Sequence, residues 1–253
     1  MSIALTRPVS GAMNRCELSH LTRTPIDVAL ARRQHEHYER TLASCGYTIA
    51  RLPLADDQPD AVFVEDILVV VDGLAIVTRP GAKSRRGEIA GLGVALPAML
   101  HEASVTAPGT LDGGDVLRVG ARLFVGRSAR TNDEGIRQLA ALVEPLGIGV
   151  TPIPVTACLH LKSAVTAVGD DLLLLNPAWI DPRHFAGYRT VLTDTAEPAA
   201  ANALRVHERV IYSDSHVRTG ERLRAAGVPL LTLDVSEIEK AEGAVTCCSV
   251  LVD

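Results

Sequence analysis

The sequence predicts an α/β fold in which about five strand–strand–helix–strand units repeat around an axis. Four apolar hairpin patterns recur along the 253 residues at a spacing of roughly 40–50 residues, a period typical of propellers and repeat arrays. Helical patterns lie between the hairpins, and the two chain ends supply strands for a fifth. No linker or shift of composition divides the sequence, so residues 1–253 are expected to form a single domain.

Each hairpin pattern consists of two apolar runs, often β-branched, joined by a turn. In residues 66–79 the turn is formed by Asp72 and Gly73, a dipeptide typical of tight hairpins. The other three patterns occupy residues 114–127, 163–176 and 202–214. The fifth hairpin is expected to combine a strand at 248–252 with one at 3–6, so that the chain ends pair and close a ring without a free edge.

Helices are predicted between the strands from apolar periodicity and capping residues. The first spans residues 25–43, with Thr24 as its N-cap, Pro25 at the first helical position and Gly46 after its end. The other predicted helices occupy residues 87–101, 132–146, 218–226 and 235–241, and Thr131 or Asn132 is expected to cap the one at 132–146. Third strands of the units are predicted at residues 48–54, 104–106, 149–153 and 230–233.

Composition and charge restrict the class of protein. Hydrophobic residues make up 47% and charged residues 22%, as in folded domains, and the net charge of −5 disfavours nucleic acid as a partner. No apolar run reaches the roughly 18 residues of a membrane span, so a membrane is not expected as a partner. Five cysteines without framework spacing favour a reducing compartment, and the N-terminus lacks a signal-peptide pattern, which favours the cytoplasm.

Motifs for cofactors and metals are missing from the sequence. It contains no Gly-rich phosphate loop, no dinucleotide fingerprint after a strand and no cysteine pair with zinc-ligand spacing. We therefore expect neither a cofactor nor a metal.

A candidate catalytic set can be assembled from residues that are distant in sequence. Cys247 and Cys248 follow a glycine turn and open an apolar run, and a strand entrance is a rigid place for a nucleophile. His160 is a candidate base, and the carboxylate that orients it could come from Asp112 or Asp115. From spacing alone, an inert core cysteine is the commoner case. On a strand, Cys248 would point to the opposite face from Cys247.

Six short segments carry a resemblance to a known family. They are residues 63–66 (Phe-Val-Glu-Asp), 78–86 (Thr-Arg-Pro-Gly-Ala-Lys-Ser-Arg-Arg), 110–115 (Thr-Leu-Asp-Gly-Gly-Asp), 130–132 (Arg-Thr-Asn), 159–162 (Leu-His-Leu-Lys) and 246–249 (Thr-Cys-Cys-Ser). Together, and in this order, they resemble the dimethylarginine dimethylaminohydrolase family of the guanidino-group-modifying superfamily. The resemblance implies a five-bladed α/β propeller that needs no cofactor. It also implies hydrolysis of Nω,Nω-dimethylarginine and Nω-monomethylarginine to citrulline and dimethylamine or methylamine.

The resemblance implies catalytic roles for three residues. Cys247 would attack the guanidinium carbon as a thiolate and form an S-alkylthiouronium intermediate. His160 would protonate the departing amine and afterwards deprotonate the hydrolytic water. Asp112 would orient His160, so the resemblance selects this carboxylate over Asp115.

Carboxylates are expected around the guanidinium because the group stays cationic at physiological pH. By resemblance, Glu65 and Asp66 would hold it, with Asp60 on the approach to the site. The alternative is a solvated acidic turn, which the apolar run at residues 61–64 disfavours.

The amino-acid end of the substrate is expected to bind elsewhere. The resemblance assigns its carboxylate to Arg85 and Arg130, since arginine forms bidentate contacts with carboxylates. Main-chain groups near Leu18 and Ala241 are implied for the amino group. Leu18 belongs to the polar loop 13–24, which is expected to act as a gate.

Two other functions stay open at the level of sequence. A deiminase or amidinotransferase acting on a different guanidino compound would use the same catalytic residues, because pocket width decides the substrate. A non-catalytic propeller that binds arginine-like ligands or a protein is the third interpretation. A small-molecule substrate is the expected partner, a homodimer is an open alternative to a monomer, and inhibition by zinc through Cys247 and His160 is also open.

Overall fold

The computed structural model describes residues 2–90 and 92–253, and these form a mixed α/β fold with five three-stranded sheets. The strands are β1 (Ile3–Thr6), β2 (Thr48–Arg51), β3 (Leu68–Val71), β4 (Leu74–Val77), β5 (His101–Ser104), β6 (Val116–Val119), β7 (Arg122–Arg127), β8 (Gly149–Pro154), β9 (Val165–Ala167), β10 (Leu172–Leu175), β11 (Arg189–Leu192), β12 (Ala203–Val206), β13 (Arg209–Ser213), β14 (Leu230–Leu233) and β15 (Val250–Val252). The helices are α1 (Val28–Ser44), α2 (Leu92–Ala95), α3 (Asp133–Val143), α4 (Leu161–Ala164), α5 (Val217–Ala225) and α6 (Ser236–Glu239).

All five sheets have the same topology. Their strand orders are β15–β1–β2, β3–β4–β5, β6–β7–β8, β9–β10–β11 and β12–β13–β14. In each sheet the middle strand is antiparallel to the first strand and parallel to the third. Ile3 faces Val252 across the β1–β15 pair, which confirms the predicted pairing of the chain ends.

The four predicted hairpins are also present. Asp72 and Gly73 join β3 to β4 with φ angles of 46° and 80°, the left-handed conformation that the tight hairpin turn requires. Helix α3 begins at its predicted cap, where the Asn132 side chain accepts a hydrogen bond from the Gly135 N–H at 2.8 Å. It continues as a 3₁₀ turn to Gly147, whose φ of 72° ends the helix.

The first helix begins three residues later than predicted. Asp27, and not Thr24, is the N-cap of α1, and its carboxylate accepts from the Leu30 N–H at 3.0 Å. The reason lies at Ile26, whose N–H and C=O both bond to the Asn14 side chain, at 2.8 and 2.9 Å. These groups are therefore not available to a helix that starts at Pro25.

The predicted helix at 87–101 is wrong as a continuous element. A 3₁₀ helix covers Lys83–Ile89, α2 covers only Leu92–Ala95, and β5 already starts at His101; residue 91 lies outside the described part. Glycine at three positions lowers the helix propensity of this segment, and Pro97 has no N–H to continue α2.

Several strand bounds also differ from prediction. Strand β2 ends at Arg51 and not at 54, since Pro53 cannot donate to a ladder. Strand β5 lies three residues before the predicted 104–106, and β11 (Arg189–Leu192) was not predicted. The segment before β11 contains only a 3₁₀ turn, Pro182–Phe185, where the other units have a helix. The sequence therefore shows no helical periodicity from which a following third strand could be predicted.

The predicted strand at 248–252 is shorter than expected. Strand β15 starts at Val250, and the residues from 245 to 248 form turns in which the Cys247 N–H donates to the Ala244 carbonyl at 3.2 Å. Cys247 and Cys248 therefore do not alternate on a strand. Cys248 is buried, and its thiol also lies near the Ala244 carbonyl, at 3.7 Å.

The apolar core consists of five clusters, each of which joins two sheets. One cluster, for example, packs Leu5 and Val250 of the first sheet against Leu68 and Ala75 of the second. The cluster around Tyr38 of α1 joins strands of the last sheet to β1. Among the described residues, no helix has the length and apolarity that crossing a bilayer would require.

We predict that Asp27→Ala lowers the free energy of unfolding by about 0.5–2 kcal/mol, because it removes the N-cap hydrogen bond of α1. Urea denaturation followed by circular dichroism measures the change. Thr24→Ala is the control and should leave stability within about 0.5 kcal/mol of the wild type. Equal losses in the two variants would contradict the observed start of the helix.

Candidate active site

The candidate residues occupy equivalent positions in the repeated units. In each sheet, the segment just before the first strand carries polar side chains that converge on one site. These segments contain Glu65 and Asp66 before β3, Asp112 before β6, His160 and Lys162 before β9, Asn202 before β12, and Thr246 and Cys247 before β15. The short 3₁₀ and α turns there keep the side chains close to the ends of rigid strands.

His160 lies between two carboxylates. Its Nε2 is 3.1 Å from Asp112 Oδ2, and its Nδ1 is 3.8 Å from Asp66 Oδ1. Asp112 is fully buried and is held by the Gly81 N–H, which donates to its Oδ1 at 2.8 Å. Asp115, the other carboxylate that the spacing allowed, instead accepts from the Leu161 N–H and the Ser128 hydroxyl.

The carboxylates stabilise the protonated imidazole. Burial alone would lower the pKa of His160, but the charge of Asp66 and the hydrogen bond to Asp112 outweigh burial and raise this pKa to about 9. Burial would also raise the pKa of Asp66, yet the charges of His160 and Arg85 lower it to about 2. At neutral pH the site therefore contains an imidazolium beside an ionised carboxylate.

Cys247 is half-buried and lines the same cavity as His160. Burial, followed by the negative charges of Glu65 and Asp66, raises the pKa of its thiol to about 12. Cys247 is therefore a neutral thiol at physiological pH in this arrangement of charges. A cation that enters beside it would favour the thiolate, because opposite charge offsets the two carboxylates.

Glu65 belongs to a polar cluster at the base of the site. The Lys162 ammonium lies 2.5 Å from Glu65 Oε1, and the Thr246 hydroxyl donates to Oε2 at 2.8 Å. Asn202 fixes Thr246 in turn, donating to its hydroxyl at 2.9 Å and accepting from its N–H at 3.1 Å. Burial raises the pKa of Glu65, and Lys162 opposes this effect.

Sequence reasoning missed the roles of Lys162, Thr246 and Asn202. Lys162 and Thr246 lie within segments that carry the resemblance, next to His160 and Cys247, and this adjacency was the available signal. Asn202 offered no signal, because only the fold brings it to Thr246.

Arg85 is buried and bound to carboxylates of the protein itself. It donates to Asp66 Oδ2 at 2.5 Å and forms a two-point contact with Glu88 at 2.8 and 2.9 Å. Its other contacts are main-chain carbonyls of Asp60 and Phe63, each at 3.3 Å. Glu88 is a further residue that the sequence did not reveal, although it lies one helical turn from Arg85.

Arg130 has fewer partners than Arg85. Among the described residues its side chain donates one hydrogen bond, to the Ser19 hydroxyl at 3.1 Å, and its Nη1 lies 3.8 Å from Asp112.

Asp60 accepts a hydrogen bond from the Glu17 N–H in loop 13–24. Burial raises the pKa of Asp60 to about 6, although the charge of Arg85 acts against this shift.

Two adjoining cavities meet at Cys247 and His160. The larger has a volume of about 450 Å³ and includes Glu65 and the loop residues His20 and Leu21 in its lining. The smaller, of about 20 Å³, has Ala241 and four charged candidates in its lining: Asp60, Asp66, Arg85 and Arg130. Asp112 is fully buried and lines neither cavity. Leu18 lines neither cavity, and its half-buried side chain packs against the apolar cluster around Tyr38.

In the described part of the chain, one group of side chains has the composition and spacing that could bind a metal ion. Potential ligand atoms of Asp66, Asp112 and His160 lie within 4.8 Å of one another. Arg85 already neutralises Asp66, and Asp112 is bonded to His160 and Gly81. These contacts suit an acid–base cluster.

Comparison with known proteins identifies the fold first. The chain shares its fold with the N-terminal domain of ArgZ, an arginine dihydrolase from cyanobacteria, which matches 100% of this chain and 98% of its own length with a TM-score of 0.86, at 17% identity. No family model matches the sequence.

Closer relatives define the family. The dimethylarginine dimethylaminohydrolase of Streptomyces coelicolor is 41% identical over 98% of this chain and 95% of its own. The corresponding enzyme of Pseudomonas aeruginosa, solved as a cysteine-to-serine variant with citrulline, has a TM-score of 0.94 and 32% identity over 98% of both chains. A histidine-to-glycine variant solved as an adduct with S-methyl-L-thiocitrulline has a TM-score of 0.93 and 33% identity over both whole chains. The chain belongs to the dimethylarginine dimethylaminohydrolase family.

We predict that the His160 imidazole titrates near pH 9 and that Asp112→Asn lowers this midpoint, since the variant removes a negative charge and keeps an oxygen for the Gly81 N–H. Histidine NMR resonances measured against pH report both values. Asp133→Asn, at an exposed carboxylate paired with Arg127, should leave the midpoint unchanged. A wild-type midpoint near the ordinary value of about 6.5 would contradict the prediction.

We also predict that Gly114→Ala disturbs the same cluster. An added Cβ would lie 2.6 Å from His160 Nδ1 and 2.8 Å from Asp66 Oδ1, so the ring must move away from Asp66. The variant should lose about 1–3 kcal/mol of unfolding free energy and show a lower His160 pKa. Gly149→Ala, where no atom lies within 4 Å of the added carbon, is the matched control. Wild-type behaviour of both variants would show that the cluster tolerates displacement.

Proposed function

We propose that this protein hydrolyses Nω,Nω-dimethylarginine and Nω-monomethylarginine to citrulline and dimethylamine or methylamine. The observation that carries the proposal is the His160 imidazolium, held between Asp112 and Asp66 beside the Cys247 thiol in one cavity. Membership of the family and the citrulline bound by the Pseudomonas relative support the substrate class.

Recognition of the substrate cation comes first in the proposed mechanism. Glu65 and Asp66 supply negative charge at the site, and both raise the pKa of the Cys247 thiol. A bound guanidinium would compensate these charges, so substrate binding itself favours the thiolate. Ionisation of the Cys247 thiol is thereby coupled to the positive charge of the substrate, and without a bound cation the thiol stays protonated and unreactive.

Two half-reactions then follow. On substrate binding the Cys247 thiol loses its proton to solvent, because His160 is already protonated. The thiolate sulfur bonds to the guanidinium carbon, the C–N bond to the methylated nitrogen breaks, and the His160 imidazolium gives its proton to the departing amine. Neutral His160 next takes a proton from water, and the resulting hydroxide adds to the same carbon. The C–S bond then breaks with its electron pair left on sulfur, and the added hydroxyl loses its proton to the thiolate, so that citrulline leaves and the thiol is restored. Asp112 keeps the imidazole oriented throughout.

The charged residues around the smaller cavity match the amino-acid end of the substrate, although its volume of about 20 Å³ requires side chains to move before this group enters. The Arg130 side chain makes one hydrogen bond among the described residues, so it has donors left for a carboxylate, whereas Arg85 already binds Asp66 and Glu88. We assign the substrate carboxylate to both arginines, with Arg130 as the stronger direct contact. Asp60 and main-chain groups of Ala241 and Leu18 are assigned to the amino group.

The larger cavity suits the methylated nitrogen. Its lining includes apolar residues near the catalytic pair, among them Leu159, Trp179 and Val245. Unmethylated arginine would turn N–H groups toward these residues, and a buried unsatisfied donor costs about 1–3 kcal/mol. Methylated arginine is therefore the better substrate in this proposal, in preference to the deiminase alternative.

We further propose that the five sheets form a five-bladed α/β propeller and that residues 1–253 are one catalytic domain. Core clusters link each sheet to the next, and one cluster links the last sheet to β1 and α1, as a ring requires. All five cysteines are unpaired, which suits the reducing cytoplasm.

We predict that Cys247→Ser reduces citrulline formation from dimethylarginine by at least about 10³-fold, because a serine hydroxyl without a strong base is a poor nucleophile at this carbon. Cys248→Ser, at the buried neighbour, is the matched control and should keep most of the activity. Citrulline assays on dimethylarginine, monomethylarginine and arginine measure both effects.

The ranking of substrates tests the named function separately from the mechanism. Wild type should use arginine about 5- to 150-fold less efficiently than the methylated compounds, as expected from the cost of buried donors. Preference for arginine would overturn the substrate assignment. Activity lost in Cys248→Ser but retained in Cys247→Ser would overturn the choice of nucleophile.

A further inference from the structure

Glu242 binds the tip of loop 13–24 through three consecutive main-chain groups. Its carboxylate accepts from the N–H groups of Ser19 at 2.9 and 3.0 Å, His20 at 2.5 Å and Leu21 at 2.6 Å. These contacts join two segments that are far apart in the sequence. His20, Leu21 and Glu242 also line the cavity that contains Cys247.

The backbone of Glu242 is unusual for the residue type. Its φ is 58°, in the left-handed region where glycine is favoured and other residues are strained. The next residue, Gly243, cannot carry a side chain, because an added Cβ would lie 2.2 Å from the Phe63 ring. A glutamate in this conformation is explained by what its carboxylate binds and not by backbone preference.

The rest of loop 13–24 is held by contacts that do not involve Glu242; the Glu17 N–H, for example, donates to the Asp60 carboxylate. Arg23 donates to the carbonyls of Asn14 and Cys16 at 2.7 and 2.6 Å, which braces the loop internally. Ser19, His20 and Leu21 are exposed to solvent. Besides Glu242, the tip contacts the body through the Ser19 hydroxyl, which accepts from Arg130.

Arg130 is not an independent anchor for the tip. Under the proposed function this arginine binds the substrate carboxylate, so its bond to Ser19 competes with the substrate. The hydrogen bonds of Glu242 to the tip involve none of the candidate catalytic residues and none of the arginines assigned to the substrate carboxylate.

We propose that Glu242 is the latch that holds loop 13–24 closed over the active-site cavity, and so acts as a positioning residue for substrate binding. The latch itself is inferred from hydrogen bonds; its kinetic consequence rests on the proposed hydrolysis of methylarginine. With the latch intact, His20 and Leu21 complete the wall of the cavity. Without it, the tip opens and the substrate dissociates faster.

The decisive variant is Glu242→Gly. It removes the carboxylate, and glycine suits the left-handed backbone, so the fold should stay at least as stable as the wild type. We expect trypsin to cleave after Arg23 at least about tenfold faster, and the KM for dimethylarginine to rise about tenfold or more with a smaller change in kcat. Glu242→Gln keeps a side-chain oxygen but loses the charge, so its cleavage rate and its KM should lie between those of the wild type and of Glu242→Gly.

Glu197→Ala is the matched control. The Glu197 carboxylate also accepts from two consecutive main-chain N–H groups, those of Arg218 and Thr219, but at the start of α5 and outside both cavities. This variant should lose thermal stability and leave cleavage after Arg23 and the KM unchanged. If cleavage after Arg23 were similarly accelerated in Glu197→Ala, a general loss of stability, and not the loss of the latch, would explain the exposure of the loop.

The outcomes separate the latch from the proposed function. Wild-type cleavage kinetics in Glu242→Gly would overturn the latch. Faster cleavage with an unchanged KM would overturn its role in substrate binding. Should the wild type fail to hydrolyse any methylarginine, the proposed function would fall, while faster cleavage after Arg23 would still support the latch.

Discussion

The rest of the site depends on one buried interaction, the imidazolium of His160 held between the carboxylates of Asp112 and Asp66. A protonated histidine in a dry site needs compensating charge, and the carboxylates need a cation in turn. Arg85 supplies the second cation on the far side of Asp66, and Glu88 balances Arg85. The chain of alternating charges fixes the acid before a substrate arrives, so little reorganisation is needed during proton transfer.

The repeated topology explains how distant residues meet. Every sheet begins with a strand preceded by a short polar turn, and the five turns converge, so each unit contributes side chains from an equivalent place. The candidate catalytic residues lie in these turns, whereas the strands behind them are apolar and pack between sheets. Packing of the sheets therefore positions the turns.

The most reliable predictions from the sequence concern turns and helix caps, which depend on residues that are neighbours in the chain. The Asp72–Gly73 hairpin and the Asn132 cap follow from the chemistry of a few adjacent residues, and both are observed. The start of α1 was wrong because Asn14, outside the helix, takes the groups of Ile26. The contacts of Asn202, Glu88 and Glu242 are invisible to any local pattern, since their partners come together only through folding. The site residues were found through segments that resemble a family, and their roles remain predictions.

The pairing of β1 with β15 has a consequence for the order of folding. Ile3 pairs with Val252, and the turn that carries Cys247 directly precedes the strand of Val252. The other four sheets each unite strands from one continuous stretch of the chain, so their contacts close shorter loops. Because contacts between distant residues form slowly, we expect the sheet beside the thiol to form after the others.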